Sequence, residues 1–248
     1  MSIQQSKLKN HLINDDCLLG LKGLPEDSVE LVLTDPPYNL GAHMKSRGSG
    51  VHRLRSNHFS TCDWDNVDED HWEQNISGLA TELARIVKDG GAVLMFMSVL
   101  KVAVIKSIFE RAGFYYKTTG TWHKTNPMPR NMNLSFVNST ESWIYFTKGK
   151  VSGTFNNNGS VFHDFIESGL TPRSEKKFGK HPTQKPLKIM KFFVSLLSRE
   201  GDTILDPFCG SGSTLVAAKQ LKRQYIGIEI NQEYSAIAIK RLEDTSIC

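Results

Sequence analysis

Short β-rich runs and amphipathic helical periods alternate along most of the chain, and this alternation limits the possible folds more than any other feature. The clearest strand candidates are 28–34, 92–97 and 202–206. The clearest helical period runs from Trp72 to Val87, with apolar residues three and four positions apart. Strands that alternate with helices favour a mostly parallel sheet covered on both faces. We therefore predict a doubly wound α/β fold.

Glycine and proline residues mark the predicted ends of these elements. The helix that starts near Trp72 is predicted to end at Gly90-Gly91, and the strand 28–34 is predicted to end before two consecutive prolines. The stretch 149–160 is rich in Gly, Asn and Ser, which is typical of an exposed loop. With 39% apolar and 23% charged residues over 248 positions, the chain is expected to form a single domain over 1–248.

Charge, apolar stretches and cysteine spacing give no indication of a membrane, metal-binding or disulfide-stabilised protein. The net charge of +4 is too small to imply a partner by itself. We expect a cytoplasmic protein without a membrane partner, because no signal-peptide or membrane-spanning stretch is evident. The acidic run 61–73 is interpreted as the start of a helix rather than a metal site, and no metal is predicted. The cysteines show no Cys-x-x-Cys pair and are expected to be reduced thiols: Cys17, Cys62, Cys209 and Cys248.

A glycine-rich turn follows the strand 202–206 and opens a helix. Gly210 and Gly212 would let the backbone pass close to a ligand, and Glu229 lies nineteen residues beyond Gly210, at the end of the next strand. This pattern favours a nucleotide-like ligand, although a purely structural turn remains an alternative. Leu215 occupies the place of the third glycine in the dinucleotide fingerprint, which argues against an NAD-linked oxidoreductase.

The tetrapeptide Asp35-Pro36-Pro37-Tyr38 is the sharpest local feature. The prolines fix the backbone and have no N–H groups, so a carboxylate and neighbouring carbonyls are held in one geometry. Such a turn can accept two hydrogen bonds from one NH2 group. The alternative is a rigid turn at the end of a strand with Tyr38 as a packed aromatic residue.

Three ordered motifs resemble the β class of S-adenosylmethionine-dependent DNA amino-methyltransferases: TDPPYNL at 34–40, HPTQKP at 181–186 and DPFCGSGST at 206–214. The resemblance extends from about Asn14 to Leu242. It implies a seven-stranded, Rossmann-like sheet with a circularly permuted motif order and small recognition inserts. The implied parts are a catalytic half 12–148 with a basic loop insert 41–60, a recognition insert at about 149–180, and a cofactor-binding half 181–248.

The resemblance also implies roles for single residues. Asp35 and Pro36 would accept the hydrogens of the target amino group, and Tyr38 would stack on the base, with Pro37 completing the catalytic turn. The residues implied at the cofactor are Asp16, Asp35, Thr183, Lys185, Asp206, Phe208, Gly210, Gly212 and Glu229. Among these, Asp206 would lie near the methionyl ammonium, Glu229 on the ribose, and Thr183 and Lys185 at the methionyl carboxylate. Asp16 would reach the cofactor's adenine, or alternatively cap a helix after a short strand.

The implied function is transfer of a methyl group from S-adenosylmethionine to N6 of adenine in a short site of double-stranded DNA. The base must leave the stack to be reached. Methylation of cytosine N4 is one alternative, and a catalytically silent nucleic-acid-binding module of the same fold is another. The resemblance leaves open a homodimer and a cognate restriction enzyme as a functional partner.

Basic segments are expected to face the DNA. The segment 41–60 holds four basic residues and no acid, and the segment 171–191 holds seven basic residues against the single acid Glu175. A solvated basic surface is the alternative for both. The segments 124–130 and 138–141 resemble further family segments near the DNA side, without separable roles. The residues predicted to bind DNA are Lys45, Arg47, Arg53, Arg55, Arg130, Arg173, Lys176 and Lys177.

Overall fold

One eight-stranded sheet forms the frame of the computed structural model, which describes residues 9–39, 67–128 and 136–246. The strands are β1 (His11–Ile13), β2 (Val29–Thr34), β3 (Val87–Met97), β4 (Phe114–Lys124), β5 (Thr140–Lys148), β6 (Phe165–Ser168), β7 (Thr203–Asp206) and β8 (Gln224–Ile228). Their order across the sheet is β1-β8-β7-β2-β3-β5-β4-β6.

The predicted mostly parallel sheet is confirmed. Among the strands of the described residues, only β5 runs against its neighbours, pairing antiparallel with both β3 and β4. The sheet has eight strands rather than seven because β6, inside the predicted recognition insert, pairs parallel with β4, from Thr121 opposite Phe165 to Lys124 opposite Ser168.

In the described part of the chain, six α-helices cover the two faces of the sheet. They are α1 (Cys17–Lys22), α2 (Glu69–Ile86), α3 (Val102–Arg111), α4 (Leu187–Leu197), α5 (Ser213–Gln220) and α6 (Gln232–Glu243). Successive residues of a strand face opposite sides, so Val93 packs with the side chains of α1, α2 and α3 while Leu94 packs with those of α4, α5 and α6. Two buried clusters therefore sandwich the sheet, as the doubly wound prediction requires. None of the helices described is both long and apolar enough to cross a membrane.

The beginning of α2 matches the sequence prediction, but its end does not. Asp68 caps the helix by accepting a hydrogen bond from the backbone N–H of His71 at 2.9 Å, so this part of the acidic run is a helix start. The prediction that Gly90-Gly91 ends the helix was wrong. The helix ends at Ile86, and both glycines lie within β3, which already pairs with β2 from Val87.

The centre of the sheet brings together two segments that are far apart in the sequence. Strand β2 lies between β3 and β7, and its parallel pairing with β7 sets Val32 opposite Leu205. The chain leaves β2 toward β3 on one side, whereas β7 continues to β8 on the other. The carboxyl ends of β2 and β7 thus meet where the strand order switches direction, the usual ligand site in open α/β sheets.

Candidate active site

The turn Asp35–Tyr38 follows β2 directly and is held at two points. The Tyr38 hydroxyl donates a hydrogen bond to one carboxylate oxygen of Asp35. In addition, the indole N–H of the buried Trp72, on α2, donates to the carbonyl of Pro37 at 3.2 Å. Because the prolines already restrict the backbone, these two bonds leave the turn little freedom.

The other carboxylate oxygen of Asp35 accepts from the ammonium group of Lys185, which belongs to the HPTQKP segment. The side chain of Lys185 is only 8% exposed and that of Asp35 is 21% exposed. Burial raises the pKa of the Asp35 carboxyl, and the nearby Lys185 ammonium opposes that rise. The pKa of Lys185 is raised despite its burial, because it faces the carboxylates of Asp35 and Glu141.

Asp206, the last residue of β7, lies beside this turn. Its carboxylate accepts from the hydroxyl of Thr34 at 2.7 Å and from the backbone N–H of Phe208 at 3.1 Å. Burial, with a smaller contribution from the charge of Asp35, raises the pKa of Asp206 to about 6, although these hydrogen bonds and one from Thr214 oppose the rise. The Thr34–Asp206 bond joins the residue before Asp35 to the start of the glycine-rich turn.

The glycine-rich turn requires glycine at two positions. Gly210 and Gly212 have φ values of +51° and +79°, which L side chains rarely adopt. A Cβ on Gly210 would lie 2.9 Å from the ring of His181, so the HPTQKP segment packs directly against this turn. The carboxylate of Glu229 accepts from the Gly210 N–H at 2.8 Å, which fixes the turn to the end of β8.

Side by side, these elements can perform two tasks. The Asp35 carboxylate and the Pro36 carbonyl are acceptors suited to an amino group, and each carboxylate oxygen of Asp35 keeps a further lone pair beyond its present partner. The turn at 208–212, with the carboxylates of Asp206 and Glu229, offers close backbone approach and negative charge to a cationic ligand that carries hydroxyl groups. The residues present therefore fit S-adenosylmethionine, with its sulfonium, ammonium and ribose hydroxyls.

Sequence comparison identifies the family. The family model N6_N4_Mtase, described as DNA methylase, matches residues 29–240. The chain belongs to this family of DNA methylases. It is 34% identical to the type II methyltransferase M2.DpnII of Streptococcus pneumoniae, over 96% of this chain and 91% of that protein. It is also 34% identical to the type II methyltransferase M2.LlaDCHI of Lactococcus lactis subsp. cremoris, over 93% of this chain and 88% of that protein.

Solved structures agree with this assignment. The M1.HpyAVI–SAM complex superimposes on this DNA methylase with a TM-score of 0.71 and 28% identity, covering 94% of this chain and 98% of that one. The cytosine-N4-specific PvuII DNA methyltransferase shares the fold, with a TM-score of 0.76 at 19% identity over 97% of this chain and 88% of that one. The predicted DNA amino-methyltransferase family and its fold are confirmed.

The predicted cofactor residues lie in two groups. The first group lies in or next to the segments just described: Asp35, Lys185, Asp206, Phe208, Gly210, Gly212 and Glu229. Thr183, in the same HPTQKP segment, is exposed. Asp16 caps α1 by accepting from the backbone N–H groups of Leu18 and Leu19, so the alternative interpretation describes its present contacts. Lys185 contacts Asp35 rather than lying free for a ligand. The cofactor roles of these residues stay predictions.

Only part of the predicted DNA-binding residues lies within the described residues. Arg173 and Lys176 are the first and last residues of a short 3-10 helix, Arg173–Lys176, that precedes the HPTQKP segment. The ammonium group of Lys177 is already paired with the carboxylate of Asp244 at 2.5 Å. The others lie outside the described residues: Lys45, Arg47, Arg53, Arg55 and Arg130. Their roles stay predictions.

Sequence reasoning gave no role to three residues at this edge. Trp72 was assigned only to the apolar face of its helix, although a tryptophan there can also donate one hydrogen bond. Glu141 and Lys124 form an ion pair at 2.5 Å, and Glu141 reaches Lys185 at 3.1 Å. The resemblance of 124–130 and 138–141 to family segments was the one available signal for these two residues.

Cys209 lies in the glycine-rich turn but is not suited to act as a nucleophile. It is buried, and burial together with the charges of Asp206 and Glu229 raises the pKa of its thiol well above the ordinary value. The thiol is therefore protonated at neutral pH, in agreement with the expectation of a reduced thiol, and it packs as a small buried side chain.

Proposed function

We propose that this protein transfers a methyl group from S-adenosylmethionine to N6 of adenine within a short site of double-stranded DNA. One observation carries the proposal: the Asp35 carboxylate lies at the end of β2, beside the glycine-rich turn that follows β7, and the Thr34–Asp206 hydrogen bond links the two. An acceptor for an amino group and a cradle for a cofactor thus share one edge of the sheet. In the family that the motifs resemble, a serine more often stands at this position in the enzymes that methylate cytosine N4, so Asp35 favours adenine over cytosine.

The reaction needs a more nucleophilic amino group than free adenine offers, because the nitrogen lone pair is delocalised into the ring. Hydrogen bonds from this amino group to the carboxylate of Asp35 and the carbonyl of Pro36 increase electron density on the nitrogen as it becomes pyramidal. Tyr38 stacks on the base and orients it. No covalent bond between enzyme and DNA is required, which agrees with the protonated state of Cys209.

Cofactor binding is assigned to the glycine-rich turn and to the carboxylates at the ends of β7 and β8. The turn at 208–212 provides close backbone approach, Asp206 a carboxylate for the methionyl ammonium, and Glu229 a carboxylate for the ribose hydroxyls. When bound, S-adenosylmethionine supplies an electrophilic methyl group. The SAM complex of M1.HpyAVI, 28% identical and similar over nearly its full length, supports this assignment.

DNA must present the base outside the helix, at a cost of a few kcal/mol. We assign the phosphate contacts that offset this cost to the basic segments 41–60 and 171–191, and target recognition to the insert at about 149–180. A homodimer, a cognate restriction enzyme as a functional partner and a cytoplasmic location belong to the same proposal. So does the division into catalytic and cofactor-binding halves.

The first test replaces the proposed catalytic acceptor. Asp35→Asn should abolish incorporation of labelled methyl groups into DNA, because an amide is a much weaker acceptor than a carboxylate, while calorimetry should still detect cofactor binding. Asn is preferred to Ala because it fills the same space next to the buried Lys185. Asp89→Asn is the matched control, since the Asp89 side chain is 97% exposed.

Digestion of the methylated DNA to nucleosides identifies the base. N6-methyladenine supports the proposal, whereas N4-methylcytosine would replace adenine by cytosine as the target. Absence of methyl incorporation by the wild-type protein at every DNA sequence tested would favour the silent DNA-binding module.

A further inference from the structure

Four charged side chains of alternating sign form a row that starts at Asp35 in the Asp35–Tyr38 turn. In order they are Asp35, Lys185, Glu141 and Lys124. The ammonium of Lys185 contacts Asp35 on one side and lies 3.1 Å from the carboxylate of Glu141 on the other. Glu141 is in turn 2.5 Å from the ammonium of Lys124. We name these four side chains the charge row.

The topology of the sheet explains why Glu141 reaches this place. It is the second residue of β5, which runs antiparallel to both of its neighbours, β3 and β4. The beginning of β5 therefore lies at the edge where the parallel strands end. Lys124 reaches the same edge as the last residue of β4, and Glu141 pairs across the sheet with Trp122.

The surroundings make the row a constrained arrangement rather than a mobile surface pair. The side chains of Lys185 and Lys124 are 8% and 12% exposed, and their ammonium groups lie 5.1 Å and 5.3 Å from the ring centroids of Phe96 and Trp122. A buried ammonium is costly without partners, so Lys185 stays between its two carboxylates. Burial by itself would raise the pKa of Glu141, but Lys185 and Lys124 lower it, and Glu141 is ionised.

From this geometry we infer that Glu141 is a positioning residue for Asp35, acting through Lys185. This inference rests on the proposed function. Glu141 holds the Lys185 ammonium at a fixed distance and takes part of its charge, while Tyr38 fixes the other oxygen of Asp35. The Asp35 carboxylate is thereby held in one orientation and remains a stronger acceptor than it would be in an exclusive pair with Lys185.

Two substitutions should shift the pKa of Asp35 in opposite directions. Glu141→Gln removes a negative charge near Asp35 and leaves Lys185 to pair with Asp35 alone, so the pKa of Asp35 should fall. Lys124→Met removes a positive charge from the row and draws Lys185 toward Glu141, so the pKa of Asp35 should rise. Each variant should lower kcat on the order of 10- to 100-fold, because the acceptor is no longer correctly placed or tuned.

The experiment measures kcat against pH with cofactor and DNA both saturating, together with cofactor affinity by calorimetry and thermal unfolding. The expected result is a lower kcat in both variants, an acid limb shifted to lower pH in Glu141→Gln and to higher pH in Lys124→Met, and cofactor affinity changed less than threefold. Glu110→Gln, which breaks the surface pair with Lys106, is the matched control and should leave kcat unchanged.

Other outcomes overturn the inference. It is wrong if the acid limb stays in place or moves in the same direction in both variants, or if cofactor affinity falls as much as kcat does. Should Glu141→Gln fail to fold, the shift in Lys124→Met alone decides. An inactive wild-type enzyme would instead refute the proposed function, so the two failures are distinguishable.

Discussion

Asp206 shows how a single buried carboxylate can link stability to ligand charge. Its carboxyl has a pKa of about 6 in the folded protein and an ordinary value of 3.8, so the folded state binds its proton more tightly than the unfolded state does. The stability that this proton binding provides is fully present below about pH 4 and is lost as the pH rises through 6. At neutral pH the protein holds a buried negative charge that a cationic ligand group can neutralise.

Asp206→Asn should remove this pH dependence, because an amide does not ionise. The free energy of unfolding of the variant minus that of the wild type should increase between pH 4 and pH 7 by up to about 3 kcal/mol. Urea unfolding at several pH values measures this difference. A difference that is constant over this range would contradict the assignment of the raised pKa to Asp206.

Residue-level prediction from the sequence succeeded where a motif carries its own geometry. The turn at 35–38 and the turn at 208–212 lie where the strand pattern placed them. Contacts between distant charged groups were not predictable, because the alternation of hydrophobicity does not tell which acid faces Lys185. Glu141 in particular is the second residue of an antiparallel strand, and a search limited to residues that follow parallel strands misses it.

At the level of elements, α2 supports the turn after β2. Its Trp72 is buried against the sheet, donates to the Pro37 carbonyl and lies under the ammonium of Lys101, which is 4.3 Å from the ring centroid. The helix is anchored by the Asp68 cap at one end and continues directly into β3 at the other. The position of the turn therefore depends on the packing of a helix more than thirty residues away in the sequence.

Trp72→Phe should lower both stability and activity. Loss of the hydrogen bond and of part of the indole should lower the free energy of unfolding by about 1–3 kcal/mol. The value of kcat should also fall, because the Asp35–Tyr38 turn loses the hydrogen bond that holds the Pro37 carbonyl. Urea unfolding and single-turnover methylation measure the two effects.

Trp143→Phe is the matched control. Trp143 is also buried, but within the described ranges its indole N–H has no hydrogen-bond partner, so the substitution removes the same atoms without breaking a bond. Equal stability losses in the two variants, with kcat unchanged in both, would refute the supporting role of Trp72.

Most elements of the fold were predictable because their apolar periods are long or are closed by clear turn residues, as in β2 and β7. Two errors have physical causes. Gly90 and Gly91 were assigned to a helix end, yet the strand accommodates them because it bulges against β2 between Val29 and Leu31. Strand β6 has only four residues, and its position depends on pairing with β4 rather than on a pattern of its own.

At the scale of the whole molecule, the mild net charge of +4 conceals an uneven distribution. The single acid of the segment 171–191, Glu175, accepts a hydrogen bond from the backbone N–H of Leu187 at the start of α4. The neighbouring basic residues differ in whether an acid already pairs with them, and so in their capacity to bind DNA phosphates. The charge of Lys177 is largely compensated by Asp244, whereas no ion pair to Arg173 or Lys176 is present in the part of the chain described.

Salt dependence of DNA binding should reveal this difference. Arg173→Gln and Lys176→Gln should each reduce the slope of log K against log salt concentration by about 0.9, the value for one lost phosphate contact on duplex DNA. Lys177→Gln should change the slope less, because an ammonium group already paired with Asp244 makes no phosphate contact that the substitution could remove. Fluorescence anisotropy between 50 and 200 mM salt, roughly the range over which such contacts weaken strongly, measures all three slopes. Equal slopes for the three variants and the wild type would place the DNA elsewhere, because a surface that contacts phosphates cannot lose a cation without releasing fewer counterions.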